Sequence, residues 1–377
     1  MGVTPLRIGP LEVSPPVVLA PMAGVTNAPF RRLCRRFGGG LYVSEMVMAR
    51  AYLEGSERTA RMVAFAPDER PRSLQLYGVD PADVGEAVAR LTGVDGVDHI
   101  DLNFGCPAAK VTRKGGGAAI PARPALLAAI VRAAVRAAAP TQVPVTVKFR
   151  LGIDDSLPTS LTTGRIAEDE GAAAVALHAR TAEQHYAGPS DWTAIAALKE
   201  HVRSIPVLGN GDVFEGADGP RMMAETGCDG IVVGRGCLGR PWLFRDLSLA
   251  FAGEPVPPPP VLGDVAAVLD AHARMLMEWF GEAHGCRELR KHTSWYLKGY
   301  AVGPDTRRAL ASVATAAELD DLLGSLPPDL PAHPGSGRMV RGHTNGPRRV
   351  VLPEGWLDHP DDASPPVAAA GLVVSGG

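Results

Sequence analysis

The fold of this 377-residue chain is decided by one strand-like segment that ends in polar residues, Val97-Asp98-His99-Ile100-Asp101-Leu102-Asn103-Phe104-Gly105-Cys106-Pro107. Its first half is apolar enough for a buried strand, and its second half brings Asn, Gly, Cys and Pro. Such an ending delivers polar groups and a thiol to the rim of a sheet, where α/β folds bind their substrates. The segment therefore predicts an α/β protein with a site at the carboxyl ends of its strands.

On both sides of this segment, short apolar runs alternate with helix-like segments, and each pair is typical of one β/α unit. Eight strands are predicted, at Val17–Ala20, Leu41–Glu45, Arg72–Tyr77, Asp98–Leu102, Val145–Phe149, Ala173–His178, Pro206–Gly209 and Gly230–Val233. Several of the intervening helices begin with Asn, Asp, Ser or Pro, which are good helix starters. Eight such units predict a closed parallel (β/α)8 barrel rather than an open, doubly wound sheet.

The pattern changes at the proline-rich segment Glu254–Pro260, which cannot continue a helix and is typical of a semi-rigid spacer. We predict a catalytic barrel in residues 1–254, a linker in 255–262 and a small all-helical domain in 263–325. Residues 326–377 are rich in Pro, Gly, Ser, Asp and Arg without periodicity. We therefore expect them to form a disordered tail.

The composition sets broad limits on compartment and partners. A net charge of −3 does not indicate a nucleic-acid binder, although a local basic patch can bind RNA on an acidic protein. The five cysteines include no CxxC pair, so we expect neither a disulfide framework nor a structural metal, and a reducing cytoplasm fits. We see no signal peptide and no stretch approaching the roughly 18 apolar residues of a membrane span. A monomer is the simplest expectation.

Polar residues that follow the predicted strands form the candidate site, and the glycine-rich segments Gly209–Asp212 and Gly234–Gly236 follow the last two strands. Barrels commonly bind a phosphate at that place through backbone N–H groups, and a neighbouring Arg adds a bidentate contact. We therefore expect a phosphorylated ligand across the barrel mouth. The residues alone leave alternatives open: the glycine segments could be simple turns, Lys148 a surface lysine and Cys106 a structural thiol.

Taken together, these motifs resemble one family. The matching segments are Ala20–Thr26, Ser44–Met46, Gln75–Gly78, Asp101–Lys110, Arg113–Gly117, Val147–Gly152, His178–Thr181, Gly209–Asp212, Gly234–Phe244 and Arg290–His292. In this order they resemble the FMN-dependent tRNA-dihydrouridine synthases, in the bacterial branch that modifies the D loop. Phe104, Gly116 and the pair Thr293-Ser294 depart from the commoner family residues, and none of them removes a candidate catalytic group.

The resemblance implies reduction of a D-loop uridine in tRNA to 5,6-dihydrouridine, with hydride from reduced FMN and with NADPH or NADH re-reducing the flavin. It implies FMN contacts for Pro21, Met22, Ala23, Gln75, Lys148, His178, Asn210, Gly211, Asp212, Gly234 and Arg235. It implies substrate or RNA contacts for Asn103, Lys110, Arg113, Arg180, Arg290, Lys291 and Lys298. Cys106 would be the acid, because a thiol with a pKa of roughly 8.5 is mostly protonated near neutral pH and can donate to carbon 5 of uracil.

Two other functions are compatible with many of the same residues. An FMN-dependent barrel that reduces a small pyrimidine or an enone would share the flavin and even the cysteine, but would not need the basic residues between Arg287 and Arg308. The other function is a non-catalytic barrel that binds RNA or phosphate without a flavin, and such a protein would be colourless. In the helical domain, Trp295, Tyr296 and Tyr300 could stack on bases, or they could be the core of a helical bundle.

Overall fold

The computed structural model describes residues 4–342 and 346–366. The strands are β1 Leu6–Ile8, β2 Leu11–Val13, β3 Val17–Leu19, β4 Leu41–Met48, β5 Ser73–Tyr77, β6 His99–Phe104, β7 Val145–Arg150, β8 Ala174–His178, β9 Val207–Asn210 and β10 Gly230–Val233. The barrel region also contains helices α1 Ala28–Arg35, α2 Ala49–Leu53, α3 Glu57–Met62, α4 Pro81–Gly93, α5 Ala109–Thr112, α6 Pro124–Ala138, α7 Ser160–Asp169, α8 Trp192–His201, α9 Asp218–Thr226 and α10 Leu243–Ala252. Four helices follow: α11 Leu262–Phe280, α12 Glu282–Tyr296, α13 Pro304–Leu310 and α14 Ala316–Gly324.

Strands β3 to β10 form a closed barrel in sequence order, with every neighbouring pair parallel and with β10 paired to β3. This confirms the predicted (β/α)8 barrel, and each of the eight predicted strands is present. The largest difference in length is β4, which continues to Met48 because its register shifts between Val43 and Met46. Met46, which follows the shift, lines the carboxyl end of the barrel.

Alternation of side chains explains how the strands build two surfaces. In β7, Val147 and Phe149 are fully buried in the layer between strands and helices, while Thr146 and Lys148 face the barrel interior. Successive side chains of a strand point to opposite faces, so one short sequence supplies both the hydrophobic core and the site. Capping side chains fix several helix starts, as when Asn27 accepts the N–H of Phe30 at the beginning of α1.

The hairpin β1–β2 closes the amino-terminal end of the barrel. Leu6, Ile8 and Val13 pack against interior side chains such as Leu41 and Leu208. The opposite, carboxyl end of the barrel is where polar side chains can meet a ligand.

The helical domain expected after the proline-rich segment is present. Helices α11 to α14 share a hydrophobic core, which Leu33 and Trp242 of the barrel domain join. Residues 254–261 contain no helix or strand and are mostly exposed. The helical domain is thus seated on the outside of the barrel through an apolar contact.

One helix qualifies by length and composition as a membrane span, in contrast to the sequence expectation that no stretch approaches one. The qualifying segment is Pro124–Thr141, which contains α6. Its apolar residues, including Leu126, Ile130 and Val131, are buried in the barrel core. We interpret α6 as a barrel helix, because an apolar helix face in contact with a sheet has the same composition as a membrane segment.

The expectation of disorder for residues 326–377 is wrong for the part of the tail that the structure describes. Trp356 is 2% exposed, and Arg341 is 3% exposed and donates to four backbone carbonyls, those of Trp295, Lys298, Ser336 and Met339. Apart from a short 3-10 turn at Ser336–Arg338, the described part of the tail has no regular secondary structure, so no periodicity reveals its buried anchors. Residues 343–345 and 367–377 lie outside the described residues.

Candidate active site

A polar cavity occupies the carboxyl end of the barrel. Fourteen of the residues predicted from sequence line it: Pro21, Met22, Ala23, Gln75, Asn103, Cys106, Lys148, His178, Arg180, Asn210, Gly211, Asp212, Gly234 and Arg235. The set contains every predicted cofactor residue and the candidate acid. The structure brings these side chains to one place, and the role of each stays a prediction.

Strand register explains the convergence. Asn103 on β6 lies beside Lys148 on β7, and His178 on β8 lies beside Asn210 on β9. Between these pairs, His178 lies beside Arg150 rather than Lys148, so the two pairs occupy successive layers of the same interior face at the mouth.

Asn103 connects the floor of the cavity to the turn that carries the thiol. Its amide nitrogen donates to Gln75 Oε1 at 2.7 Å, and Gln75 Nε2 donates to Asp101 Oδ2 at 2.7 Å. The Oδ1 of Asn103 accepts the backbone N–H groups of Gly105 at 3.1 Å and Cys106 at 2.9 Å. The side chain of Asn103 therefore fixes the backbone of the Cys106 turn as well as lining the site.

The Cys106 thiol is protonated at neutral pH. Burial raises its pKa, and the nearby backbone N–H of Ala108 and the charges of Arg150 and Lys110 only partly oppose this effect. Arg150 also donates through Nε to the carbonyl oxygen of Gly105 at 2.8 Å, next to the thiol. A partly buried, protonated thiol held on a fixed turn suits a proton donor rather than a nucleophile, which would need the thiolate.

A partly buried lysine lies on the strand next to the thiol turn, because Lys148 of β7 is beside Asn103 of β6. Lys148 Nζ donates to Asn210 Oδ1 at 2.8 Å. Burial and the charge of Arg150 lower the pKa of Lys148 to about 7, while Asp101 works in the opposite direction. Burial also raises the pKa of Asp101, to about 6. A ligand that brings negative charge close to Lys148 would therefore favour its protonated form.

His178 is neutral in this cavity. It is buried, and its pKa lies well below 6.5, first because of desolvation and then because four cations surround it. Among these charges Arg150 lowers the pKa of His178 most, followed by Lys148, Arg180 and Arg235. A neutral imidazole can both donate and accept a hydrogen bond at a ligand edge.

Beside the glycine segments lies a nest of unpaired donors. Arg180 Nη2 donates to Asp212 Oδ1 at 2.7 Å, and Arg235 Nη2 lies 3.9 Å from the same oxygen, so two cations share one carboxylate. Arg180 Nη1, Arg235 Nη1 and Ser190 Oγ are buried without a hydrogen-bond partner among the described residues. Gly211 has a φ of +140°, and a Cβ there would lie 2.6 Å from the Cβ of Ser190. Surplus positive charge with unpaired donors fits a phosphate group.

The predicted RNA contacts outside the cavity do not converge on one surface. Lys110 and Arg113 are exposed on and next to α5, close to the thiol turn. Lys291 pairs with Glu288, and its Nζ lies 3.8 Å from the place of a Cβ on Gly24, next to the cavity-lining Ala23 at the rim of the mouth. Arg290 Nε instead donates to Val313 O at 2.9 Å, and Lys298 donates to the carbonyl of Val340.

Two polar side chains of the cavity were given no site role from the sequence, Arg150 and Tyr186. Arg150 ends β7 two positions after Lys148, on the same face, and is recognisable from sequence as a strand-end residue. Tyr186 lies in the loop after β8, and its ring is 4.4 Å from the guanidinium of Arg235 and 5.5 Å from that of Arg150. No strand ends at Tyr186, so the sequence gives no signal that it lines the mouth.

Fold and site together define the class: a (β/α)8-barrel enzyme with a protonated thiol and an anion nest at the carboxyl ends of its strands. A family described as dihydrouridine synthase (Dus) matches residues 18–326. The chain belongs to the dihydrouridine synthase family, which makes it a flavin-dependent oxidoreductase.

The relatives differ in how much of the chain they cover. A probable tRNA-dihydrouridine synthase of Mycobacterium tuberculosis is 56% identical over 98% of this chain and 97% of its own length. The tRNA-dihydrouridine synthase B of Xanthomonas axonopodis pv. citri is 38% identical over 86% of this chain and 99% of its own length. The solved structure of histamine dehydrogenase from Rhizobium sp. 4-9 aligns with 72% of this chain and 50% of that one at 16% identity and a TM-score of 0.47, which is too low to support an argument.

Proposed function

We propose that this protein reduces a D-loop uridine of tRNA to 5,6-dihydrouridine, with FMN as bound cofactor and NADPH or NADH as the reductant. The single observation that carries this proposal is the combination, in one member of the dihydrouridine synthase family, of a protonated Cys106 and a partly buried Lys148 at one mouth. Relatives that cover nearly the whole chain are named for tRNA as the substrate. We place the enzyme in the cytoplasm, as a monomer.

The residues present fit FMN. The unpaired donors of Arg180, Arg235 and Ser190 match a phosphate, and the glycine backbone at Gly211 and Gly234 allows close approach of a ligand. Pro21, Met22 and Ala23 would contact the ring through their backbone, with Gln75, Lys148, His178 and Asn210 at its polar edges. In its reduced form, bound FMN supplies the hydride that carbon 6 of uracil receives.

The chain's own groups then complete the reduction. Lys148 holds positive charge where the ring gathers negative charge, and burial of the lysine strengthens this attraction. Asn103 orients the uracil edge while it holds the Cys106 turn. Cys106 donates its proton to carbon 5, leaving a thiolate that solvent re-protonates before the next turnover.

The tRNA must present an unstacked uridine to this buried mouth. A loop base pays little of the unstacking cost of a few kcal/mol that a paired base would pay. Lys110 and Arg113 beside the thiol turn and Lys291 at the opposite rim are the cations best placed for phosphate contacts. NADPH and tRNA would visit this mouth in turn, in two alternating half-reactions.

The deciding experiment uses purified full-length protein and tRNA from a strain that lacks the gene for it. We expect a yellow protein that oxidises NADPH and forms dihydrouridine at one D-loop position, mapped by mass spectrometry of nuclease fragments. Free uracil and a simple enone are the controls. Equal or faster reduction of these small substrates would favour the small-molecule function, and a colourless protein unable to bind added FMN would contradict both.

A further inference from the structure

The segment Arg348–Pro366 of the C-terminal tail lies directly on the loop that carries the thiol. It begins at the loop after β8, where the N–H of Arg348 donates to Glu183 O at 2.9 Å. It continues through Val350, which packs with Ala118, and ends on Gly115, where Pro366 is 3.1 Å from the place of a Cβ. We call residues 348–366 the strap.

Trp356 is the main anchor of the strap. Its ring is buried, and a Cβ added to Gly115 would lie 2.6 Å from the ring atom Cη2, so the ring rests on the glycine backbone. Its Nε1 donates to Ala119 O at 2.9 Å. Gly115 has a φ of +77°, which favours glycine, and the missing side chain is what makes room for the indole.

Arg123 fastens the same contact from the other side. Its guanidinium lies 4.1 Å from the centre of the Trp356 ring, and its Nε donates to Trp356 O at 3.0 Å. Its Nη1 pairs with Asp362 at 3.2 Å. Arg123 is 8% exposed, so these contacts are largely protected from water.

The turn under Trp356 touches the candidate acid. The N–H of Ala118 donates to Cys106 O at 3.0 Å. Gly117 has a φ of +55°, and a Cβ there would lie 2.6 Å from Cys106 O and 3.1 Å from Cys106 Cβ. Only Ala118 and Ala119 therefore separate the hydrogen bond of Trp356 from the hydrogen bond of Cys106.

We propose that Trp356 is a positioning residue for the reaction: through Ala118 and Ala119 it holds the Cys106 turn at the barrel mouth. The family match ends at residue 326, so the strap is an addition to the family's shared domain. The inference rests on the proposed role of Cys106 as the acid. It assigns a function to the tail, and it links a segment outside the family match to the chemical step.

The test compares full-length Trp356→Ala, Trp356→Phe and Leu357→Ala. Leu357 is the matched control, because it is the next residue of the strap and is 48% exposed. Two rates are followed in single turnovers: reduction of bound FMN by NADPH, and its reoxidation by unmodified tRNA. The third readout is alkylation of Cys106 by iodoacetamide, measured on the Cys106 peptide by mass spectrometry.

For Trp356→Ala we expect reoxidation by tRNA to slow by about 10²-fold, since a displacement of about 1 Å can have that cost. Alkylation of Cys106 should accelerate at least about tenfold as the turn loosens, while reduction by NADPH should change by less than about twofold. Trp356→Phe keeps an aromatic ring at the anchor but loses the hydrogen bond and shortens the contact with Gly115, so we expect an intermediate effect, about two- to tenfold. Leu357→Ala should behave as the unsubstituted protein.

Equal alkylation and equal reoxidation in Trp356→Ala and Leu357→Ala would overturn the proposal. So would a parallel loss of both half-reactions together with bound FMN, which indicates a purely structural role. If Trp356→Ala does not fold, Trp356→Phe decides, because an unchanged Cys106 alkylation rate there contradicts the hydrogen-bonded link. If the unsubstituted protein fails to reduce tRNA, the proposed function fails, while alkylation still reports whether the strap holds Cys106.

Discussion

Two polar regions of this molecule follow different rules. At the barrel mouth, residues predicted one by one from strand ends converge in a single cavity, where Asn103 is hydrogen-bonded to Gln75 and lies beside Lys148. In the helical domain, the basic residues between 287 and 308 look equally functional in sequence, yet Arg290 and Arg307 donate to backbone carbonyls of their own domain.

The difference has a geometric cause. The end of a barrel strand can face only the mouth, so residue type and position together determine the surroundings. A basic residue on a helix can face solvent, a ligand or the unsatisfied carbonyls at the end of a neighbouring helix. Tyr296 and Tyr300 make the same point, since both are buried in the core of the helical domain as the alternative interpretation predicted. Sequence alone does not choose among these environments.

The largest expected effect belongs to the mouth. We expect Cys106→Ala to keep its FMN and its reduction by NADPH, and to slow dihydrouridine formation by about 10²- to 10⁴-fold, the usual contribution of a positioned general acid. The measurement is single-turnover reoxidation of reduced enzyme by unmodified tRNA.

Cys286→Ala is the matched control, because Cys286 is a free cysteine on α12 in the helical domain. Full-speed turnover by Cys106→Ala would remove the thiol from the mechanism and would leave the mouth without an identified acid.

The second effect tests the anion nest. Arg235→Met should weaken FMN binding about 10- to 100-fold, because a hydrogen bond to a charged group contributes about 1.5–3 kcal/mol. Fluorescence titration of the apoprotein with FMN measures it, and riboflavin, which lacks the phosphate, should bind both proteins alike.

Arg221→Met is the control for the Arg235 substitution, since the Arg221 side chain is half exposed on α9 and pairs with Asp218. An equal loss of riboflavin affinity would show that Arg235 supports the ring region rather than the phosphate.

The sequence could predict the barrel and most of the mouth, because alternation along eight strands determines both which side chains are buried and which reach the rim. It could not predict Tyr186, which lies in a loop, or the strap. Trp356 is buried by contacts with Gly115 and Arg123, and Arg123 precedes it by 233 residues in the chain. Such a contact leaves no local pattern, and composition alone suggested disorder.

The third prediction concerns the contact between the helical domain and α1 of the barrel, which we call the seam. His272 and His292 are buried there against Phe30. Desolvation lowers the pKa of His272 to about 3 and that of His292 well below 6.5, and Lys291 adds to both shifts. The unfolded chain therefore takes up protons from about pH 6.5 downward while the folded chain does not. Each histidine should cost about 1.4 kcal/mol of unfolding free energy at pH 5.5 relative to high pH.

Urea unfolding at pH 7.5 and 5.5 measures this loss. His292→Leu should remove the part of this stability loss that one histidine contributes. The substitution also removes two ring nitrogens that have no hydrogen-bond partner in the described part of the chain. His284→Gln, at a half-exposed position, should leave the pH dependence unchanged. An unchanged pH dependence in His292→Leu would show that this seam does not set the acid sensitivity.

The smallest expected effects distinguish Arg290 from Lys291, two neighbouring cations on α12. Arg290→Ala should lower the unfolding free energy by about 1 kcal/mol through loss of its bond to Val313 O, with tRNA affinity unchanged. Lys291→Ala should leave stability within about 0.5 kcal/mol, weaken tRNA binding a few-fold and reduce the salt dependence of binding by about one counterion, because Lys291 lies at the mouth. Filter binding at several salt concentrations measures the difference. The contrary result is that Arg290→Ala weakens tRNA binding as Lys291→Ala does, at unchanged stability. The backbone contact of Arg290 would then be replaced by an RNA contact on binding, and the contrast between mouth and helical domain would disappear.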